Sequence, residues 1–170
     1  PAITGSVDYP EDEGAYASHA DGIKAALTVT ENLKFWADVH GTTLPGDILA
    51  TFDLADLKDR LGGPLSAGQK RRLGLARLGV IGRTVLFLDE PTSALDLKYQ
   101  IELMKRLANL ARSGWGIVAV LHDLHLVHEY ADDVWLFKEG EIIEKGRARE
   151  VLTATSIQET YGLDAPYTLA

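Results

Sequence analysis

The stretch Thr84-Val-Leu-Phe-Leu-Asp-Glu-Pro-Thr-Ser-Ala-Leu-Asp96 organises the fold of this chain of 170 residues. Its first part, residues 84–88, is short and apolar, which predicts a strand buried on both faces of a parallel sheet. Two carboxylates, Asp89 and Glu90, follow at the carboxyl end, where open α/β sheets bind ligands. One acid there can hold Mg²⁺ and the other can polarise a water. A turn with a helix N-cap would explain the same residues.

A second feature is the start of the helix that Ser66 opens. Ser66 and Gln69 have the spacing of a capping box, which is the commoner reason for this pattern. The same geometry directs a hydroxyl, free backbone N–H groups and a helix N-terminus at one point, which suits a phosphate. We expect the helix to have an apolar face, with its basic residues mostly elsewhere. The apolar face comprises Leu73, Leu75, Ala76 and Leu78, and the basic residues are Lys70, Arg71, Arg72 and Arg77.

His122 directly follows a second apolar strand, predicted over residues 117–121. Because parallel strands end at the same edge of a sheet, we expect His122 to lie near the two carboxylates. A histidine at a strand end is also common as a surface or capping residue. His125 and His128 follow at intervals of three, but metal binding by all three is not expected because the outer two do not share a helix face.

The alternation of apolar strands and amphipathic helices between Ser66 and Leu121 predicts a parallel α/β sheet with flanking helices. We expect one domain of three parts. Residues 28–80 would form a helical subdomain and the helix that follows Ser66. Residues 81–132 would form the sheet core, and residues 133–170 a C-terminal β-hairpin with short helices.

Composition excludes several classes of protein. The formal net charge of −8 argues against nucleic-acid binding. The chain has no cysteine, so it has neither disulfides nor cysteine-ligated metals. No apolar run approaches the roughly 20 residues of a membrane span, and no signal peptide is visible. We therefore expect a cytoplasmic location. Because the chain starts at Pro1 instead of Met, we also expect that an upstream segment was removed or never included.

Four segments together resemble the motifs of ATP-binding cassette (ABC) ATPases, in that family's order. Leu65-Ser-Ala-Gly-Gln69 resembles the signature motif, and residues 85–90 resemble the Walker B strand with its catalytic glutamate. Ser93-Ala-Leu-Asp96 resembles the D-loop, and His122 the switch histidine. The resemblance covers essentially the whole chain. It implies a partial ABC-type nucleotide-binding domain.

The resemblance implies roles for the acids and the histidine. Two cassettes would pack head to tail with ATP between them. Asp89 would order Mg²⁺ through its water shell, and Glu90 would be the general base for the attacking water. His122 would hold the γ-phosphate and sense its loss.

The resemblance also implies partners. Ser66, Gly68 and Gln69 would contact the ATP bound by the opposite cassette, and Asp96 in the D-loop would couple the two sites. ATP hydrolysis would drive transmembrane permease subunits, which places the chain on the cytoplasmic face of the inner membrane. Nucleic acid would not be a partner.

Two departures from the family pattern matter. The Walker A loop, Gly-x-x-x-x-Gly-Lys-Ser/Thr, is absent from the chain, since no lysine has a glycine before it. That loop supplies the backbone N–H groups that hold the β-phosphate. We expect the N-terminal strands of the domain to be missing together with this loop. His19 stands where most cassettes have the Q-loop glutamine. It could form a hydrogen bond with a metal-bound water, or it could be a loop residue without a functional role.

Different parts of the chain resemble different subfamilies. Residues 18–24, 31–36 and 65–77 resemble the haem-exporter ATPase of cytochrome c biogenesis. Residues 121–127 and 151–164 resemble ATPases of haem, siderophore and cobalamin importers. This disagreement suggests a mosaic with a junction near the acid strand. Haem is common to both resemblances, so the implied function is transport of haem or an iron complex.

Two alternatives from other classes stay open. The chain could be a catalytically silent, truncated interaction module that docks on a complete cassette or a membrane subunit. It could also be a non-transport ABC ATPase that acts on nucleic acid, since such proteins share the signature motif. The acidic composition and the lack of a basic block weigh against the second alternative.

The missing phosphate nest leads to a first prediction. Because the backbone N–H groups and the lysine that hold the β-phosphate are absent, we expect the purified chain to bind Mg-ATP only weakly and not to hydrolyse it alone. Isothermal titration calorimetry measures this affinity. A dissociation constant on the order of micromolar would contradict the prediction.

Overall fold

The computed structural model describes residues 13–18, 21–165, 167 and 169. Within these residues three parallel strands form a sheet in the order β1-β2-β3. The strands are β1 (Gly14–Ala17), β2 (Val85–Asp89) and β3 (Gly116–Val120). Two further strands, β4 (Asp133–Lys138) and β5 (Glu141–Arg147), pair antiparallel as a separate hairpin. The predicted α/β fold with a parallel sheet and a C-terminal hairpin is therefore confirmed.

Helices surround the sheet and follow the hairpin. In the described part of the chain they are α1 (Val29–His40), α2 (Ile48–Thr51), α3 (Ala67–Ile81), α4 (Leu97–Arg112), α5 (Leu124–Tyr130), α6 (Ala148–Val151) and α7 (Ala154–Tyr161). A short 3₁₀ helix spans Ala55–Leu57. Along the same stretches, no helix combines the length and apolar character needed to span a membrane.

Local sequence sets the bounds of α1. The Thr28 hydroxyl accepts a hydrogen bond from the Glu31 N–H, and the Glu31 carboxylate accepts one from the Thr28 N–H. At the other end Gly41 adopts a left-handed conformation (φ 63°), which needs no Cβ. The helical segments between residues 46 and 61 are short, with four residues in α2 and three in the 3₁₀ helix. One reason is Asp53, whose φ of 51° does not continue a helix.

Helix α3 lies between two apolar clusters. Leu75, Leu78 and Ile81 pack with buried residues of the sheet and α4. Leu73, Ala76 and Val80 pack with α1 and the segment around α2. Because α3 is apolar on both sides, it joins the sheet to the small helical bundle. A third cluster holds the hairpin against α6 and α7.

The two faces of the sheet differ in burial. Leu86 and Leu88 are 3% and 2% exposed, whereas Val85 and Phe87 on the other face are only half-buried. The neighbouring side chains Tyr16, Val118 and Val120 are 62%, 55% and 53% exposed. The expectation that the acid strand is buried on both faces was therefore wrong. One apolar face of the sheet meets solvent in the described structure, which is unusual for a parallel sheet.

This exposed face predicts self-association of the purified chain. Replacing both Val118 and Val120 with threonine removes apolar surface but keeps the β-branched shape that strands favour. We expect the double variant to sediment closer to monomer at the same concentration in analytical ultracentrifugation. Ile143→Thr, at an exposed position on the hairpin, is the control. Equal effects of the two changes would rule out the sheet face as the site of association.

Candidate functional site

The candidate site is built at the carboxyl ends of β2 and β3. Asp89 is paired in register with Val120, and the Glu90 N–H donates to the Val120 carbonyl over 3.1 Å. This pairing brings His122 alongside, with its Nε2 atom 2.9 Å from Oε1 of Glu90. The two side chains are 75% and 45% exposed, so solvent and ligands can reach them. His122 thus lies beside the strand-end acid, as the adjacency of the strands led us to expect.

The backbone after β2 turns sharply. Glu90 has φ 46° and Ala94 has φ 60°, both in the left-handed region that non-glycine residues rarely adopt. The Ser93 N–H donates to the Glu90 carbonyl over 3.0 Å and closes the turn. Such conformations each cost about 1–3 kcal/mol and persist only where surrounding contacts enforce them. The backbone conformation of Glu90 is therefore imposed by its surroundings.

The capping box predicted at Ser66 is present. The Ser66 hydroxyl accepts from the Gln69 N–H over 3.3 Å, and the Gln69 side-chain oxygen accepts from the Ser66 N–H over 2.9 Å. The two N–H donors of the Gln69 amide take no part in this capping box, so the side chain can donate to a ligand while the cap persists. A Cβ at Gly68 would lie 3.1 Å from the Ala94 carbonyl oxygen, so the start of α3 and the loop after Glu90 approach closely.

Asp96 lies just beyond this loop and has a local role. Its Oδ1 atom accepts a hydrogen bond from the Tyr99 N–H over 3.2 Å and caps α4. The structure therefore brings Gly68 close to the loop that precedes Asp96, and Glu90 close to His122. His19, the remaining predicted site residue, lies outside the described residues.

Asp89 is the candidate ligand for Mg²⁺. No group of three or more histidine, aspartate or glutamate side chains is placed to hold a metal within the described stretches. One strand-end carboxylate nevertheless suits Mg²⁺, which keeps several waters and takes its other ligands from phosphate oxygens. The half-buried Asp89 fits that type of site.

Arg71, which was not among the residues predicted for the site, has a side chain that is only 4% exposed. Its guanidinium makes five hydrogen bonds, which matches its five N–H donors. They run from Nε to Pro91 O (3.2 Å), from Nη1 to Ser18 O (2.9 Å) and Asp21 Oδ1 (3.2 Å), and from Nη2 to Asp89 O (2.8 Å) and Glu90 O (2.7 Å). The expectation that it lies outside the buried face was wrong. Its spacing was the available clue, since Leu75 and Leu78 follow at i+4 and i+7 on the same face.

The neighbouring Arg72, whose side chain is 12% exposed, belongs to a cluster around the exposed Asp53 that links three segments. Its guanidinium pairs with Asp53 and lies 4.1 Å from the centre of the Tyr99 ring. The Tyr99 hydroxyl also donates to the Asp53 carboxylate. The hydrogen bonds from Tyr99 and then Arg72 lower the pKa of Asp53, and the bond to Asp53 raises the pKa of Tyr99. This cluster ties the turn after α2 to α3 and α4.

Comparison with known proteins identifies relatives. The ABC transporter family profile matches residues 5–93. The cytochrome c biogenesis ATP-binding export protein CcmA of Roseobacter denitrificans is 52% identical over 91% of this chain and 70% of its own length. The hemin import ATP-binding protein HmuV of Hahella chejuensis is 40% identical over 69% of this chain and 48% of its own length. Similarity to CcmA thus includes both halves of the chain, and the mosaic origin stays a prediction.

Solved structures show the same fold. An inward-facing metal-chelate type ABC transporter matches 89% of this chain with a TM-score of 0.74 and 23% identity. The cbiO1 protein of Clostridium perfringens, part of the ABC transporter complex cbiONQ, matches 90% with a TM-score of 0.68 and 29% identity. This chain spans 64% of the length of each of those chains.

The cluster around the exposed Asp53 predicts a pH-dependent contribution to stability. Because folding lowers the pKa of Asp53, its contribution is complete above the ordinary aspartate pKa and is lost as the pH falls through the lowered value. Asp53→Asn keeps a residue that tolerates the left-handed backbone. We expect this variant to melt about 1–3 °C below the original chain at pH 7.

The same difference should shrink below about pH 4, where carboxylates become protonated. Scanning calorimetry across pH measures it. Asp56→Asn, on the exposed 3₁₀ helix, controls for the loss of one negative charge. A difference for Asp53→Asn that is constant with pH would contradict the prediction.

Proposed function

The chain belongs to the ABC transporter family, and from that premise we propose that it forms part of an ATPase subunit that couples ATP hydrolysis to membrane transport. The observation that carries this proposal is the 2.9 Å contact between Glu90 and His122 at the end of the acid strand. A carboxylate beside an imidazole, at the edge where parallel sheets bind ligands, can accept a proton from water and contact a phosphate.

Each site residue has a distinct proposed task. Glu90 acts as general base, because its exposed carboxylate can take a proton from the attacking water. His122 orients this carboxylate and contacts the γ-phosphate. Asp89 holds Mg²⁺, which neutralises charge on the phosphates when it is bound. His19 is proposed to bind near the metal-bound water.

The start of α3 serves a second cassette. Gly68 presents a backbone N–H and Ser66 a hydroxyl at a helix N-terminus, which attracts phosphate. Gln69 joins them through its amide N–H donors, which the capping box does not use. Asp96 couples the sites, because the loop before it packs against Gly68. ATP in this proposal is held by the phosphate loop of one cassette and by the signature residues of another.

Relatives suggest the cargo and the setting. Their names describe ATP-binding proteins of cytochrome c biogenesis export and of hemin import. We therefore propose haem or an iron complex as the transported substrate. Transmembrane permease subunits complete the assembly, and the chain is placed peripherally on the cytoplasmic face of the inner membrane. The three apolar clusters support a division into residues 28–80, 81–132 and 133–170, with α3 shared between the first two.

ATP-dependent association with a complete relative tests the proposal. The CcmA protein of Roseobacter denitrificans, whose name describes it as ATP-binding, serves as the second cassette. We expect a complex with this chain in Mg²⁺ and a non-hydrolysable ATP analogue, and none without nucleotide. Ser66→Arg should abolish the complex, because the long side chain fills the space that the phosphates approach.

Thr153→Arg is the matched control. Thr153 caps α7 by accepting from the Ser156 N–H, so the change removes an equivalent cap far along the chain. Analytical ultracentrifugation measures the complex. Association without nucleotide would favour the silent interaction module instead. Salt-sensitive retention on DNA or RNA would favour the nucleic-acid alternative.

A further inference from the structure

Arg71 is a buried charged side chain that contacts the segment carrying Asp89 and Glu90. Three of its hydrogen bonds go to the successive carbonyl groups of Asp89, Glu90 and Pro91, at 2.8, 2.7 and 3.2 Å. These carbonyls belong to the segment in which β2 ends and the backbone turns. One planar guanidinium therefore fixes the positions of three consecutive peptide groups.

The middle residue of this segment is strained. Glu90 has φ 46°, a conformation that a residue with a Cβ avoids unless its surroundings impose it. The Ser93 N–H also bonds the Glu90 carbonyl, but it belongs to the same turn and moves with it. Arg71 contacts the turn from a different element, α3, whose position is fixed by packing on both sides. It is thus an external support for the conformation.

The remaining donors anchor the guanidinium. Its Nη1 atom bonds the Ser18 carbonyl at 2.9 Å and the Asp21 carboxylate at 3.2 Å. Asp21 balances the charge of a side chain that is almost fully removed from water. Lysine cannot replace this arrangement, because an ammonium group has three N–H donors for five acceptors and lacks the planar fork.

We propose that Arg71 is a positioning residue that holds the left-handed turn at Glu90 and so aims the Glu90 carboxylate at His122. It acts through the backbone, because all five of its N–H donors bond acceptors of the chain itself. Since Arg71 stands two residues after Gln69 on α3, it also fixes the acid relative to the signature segment. This inference rests on the proposed function, in which Glu90 is the base, and names a residue on which that base depends.

NMR of the chain labelled with ¹⁵N-histidine tests the inference without nucleotide. The readout is the change in the His122 ring resonances caused by Glu90→Gln, which alters the group paired with the imidazole. We expect a clear change in the original chain and its loss in an Arg71→Lys background, where the carboxylate no longer faces His122. Arg72→Lys is the matched control, since Arg72 is adjacent on α3 and pairs with the exposed Asp53.

The outcomes separate positioning from simple stabilisation. Loss of the response with Arg71→Lys, together with its retention with Arg72→Lys, supports the inference. An unchanged response in folded Arg71→Lys protein overturns it. If Arg71→Lys does not fold, Glu90→Gly is added, because glycine adopts positive φ without strain. Recovery of the fold then supports the inference, and failure to recover it overturns it.

This result is independent of the association experiment. A chain that fails to associate with CcmA in ATP contradicts the proposed function and leaves the link between Arg71, Glu90 and His122 measurable. If the chain associates with CcmA but Arg71→Lys leaves the His122 response unchanged, the positioning role of Arg71 is contradicted and the proposed function is not.

Discussion

The buried guanidinium of Arg71 is the interaction on which the rest of the site depends. Moving a charge out of water costs several kcal/mol unless its hydrogen bonds and countercharge are supplied. Here every N–H donor has an acceptor, and those acceptors come from Asp89 to Pro91 at the end of β2 and from Ser18 and Asp21. The requirement works in both directions. The burial of Arg71 is tolerated only when these acceptors are in place. In turn, the hydrogen bonds from Arg71 hold the acceptors in position.

Helix α3 can impose this geometry because it is buried on both sides. Its apolar residues enter the cluster of the sheet and the cluster of the helical subdomain, so the helix cannot shift towards one without losing contacts with the other. The capping box at Ser66 fixes where the helix begins. A displacement of the signature segment would therefore be transmitted along α3 to Arg71 and to the backbone beside Glu90.

Features that depend on local spacing or on the order of parallel strands could be predicted from sequence, and the tertiary contacts of single side chains could not. The capping boxes at Thr28 and Ser66 and the acid strand depend on neighbouring residues, so spacing indicates them. The adjacency of Glu90 and His122 follows from the parallel order of two strands. The burial of Arg71 depends on acceptors as far as 53 positions away, which hydropathy does not reveal. The exposed sheet face likewise depends on what packs against it, and the positive φ of Glu90 is imposed by tertiary contacts.

The position of Gly68 shows why the signature segment and the strand end at Asp89 and Glu90 are expected to move together. In the proposed assembly, Ser66 and Gly68 meet one nucleotide, whereas Asp89 and Glu90 meet another. Within this chain the two regions touch, because a Cβ at Gly68 would lie 3.1 Å from the Ala94 carbonyl in the loop that follows Glu90. The same loop is strained at Ala94. A change in the contacts of the signature segment is therefore passed to the segment after Glu90 through backbone groups, and the reverse also holds. No side chain needs to extend from one nucleotide to the other.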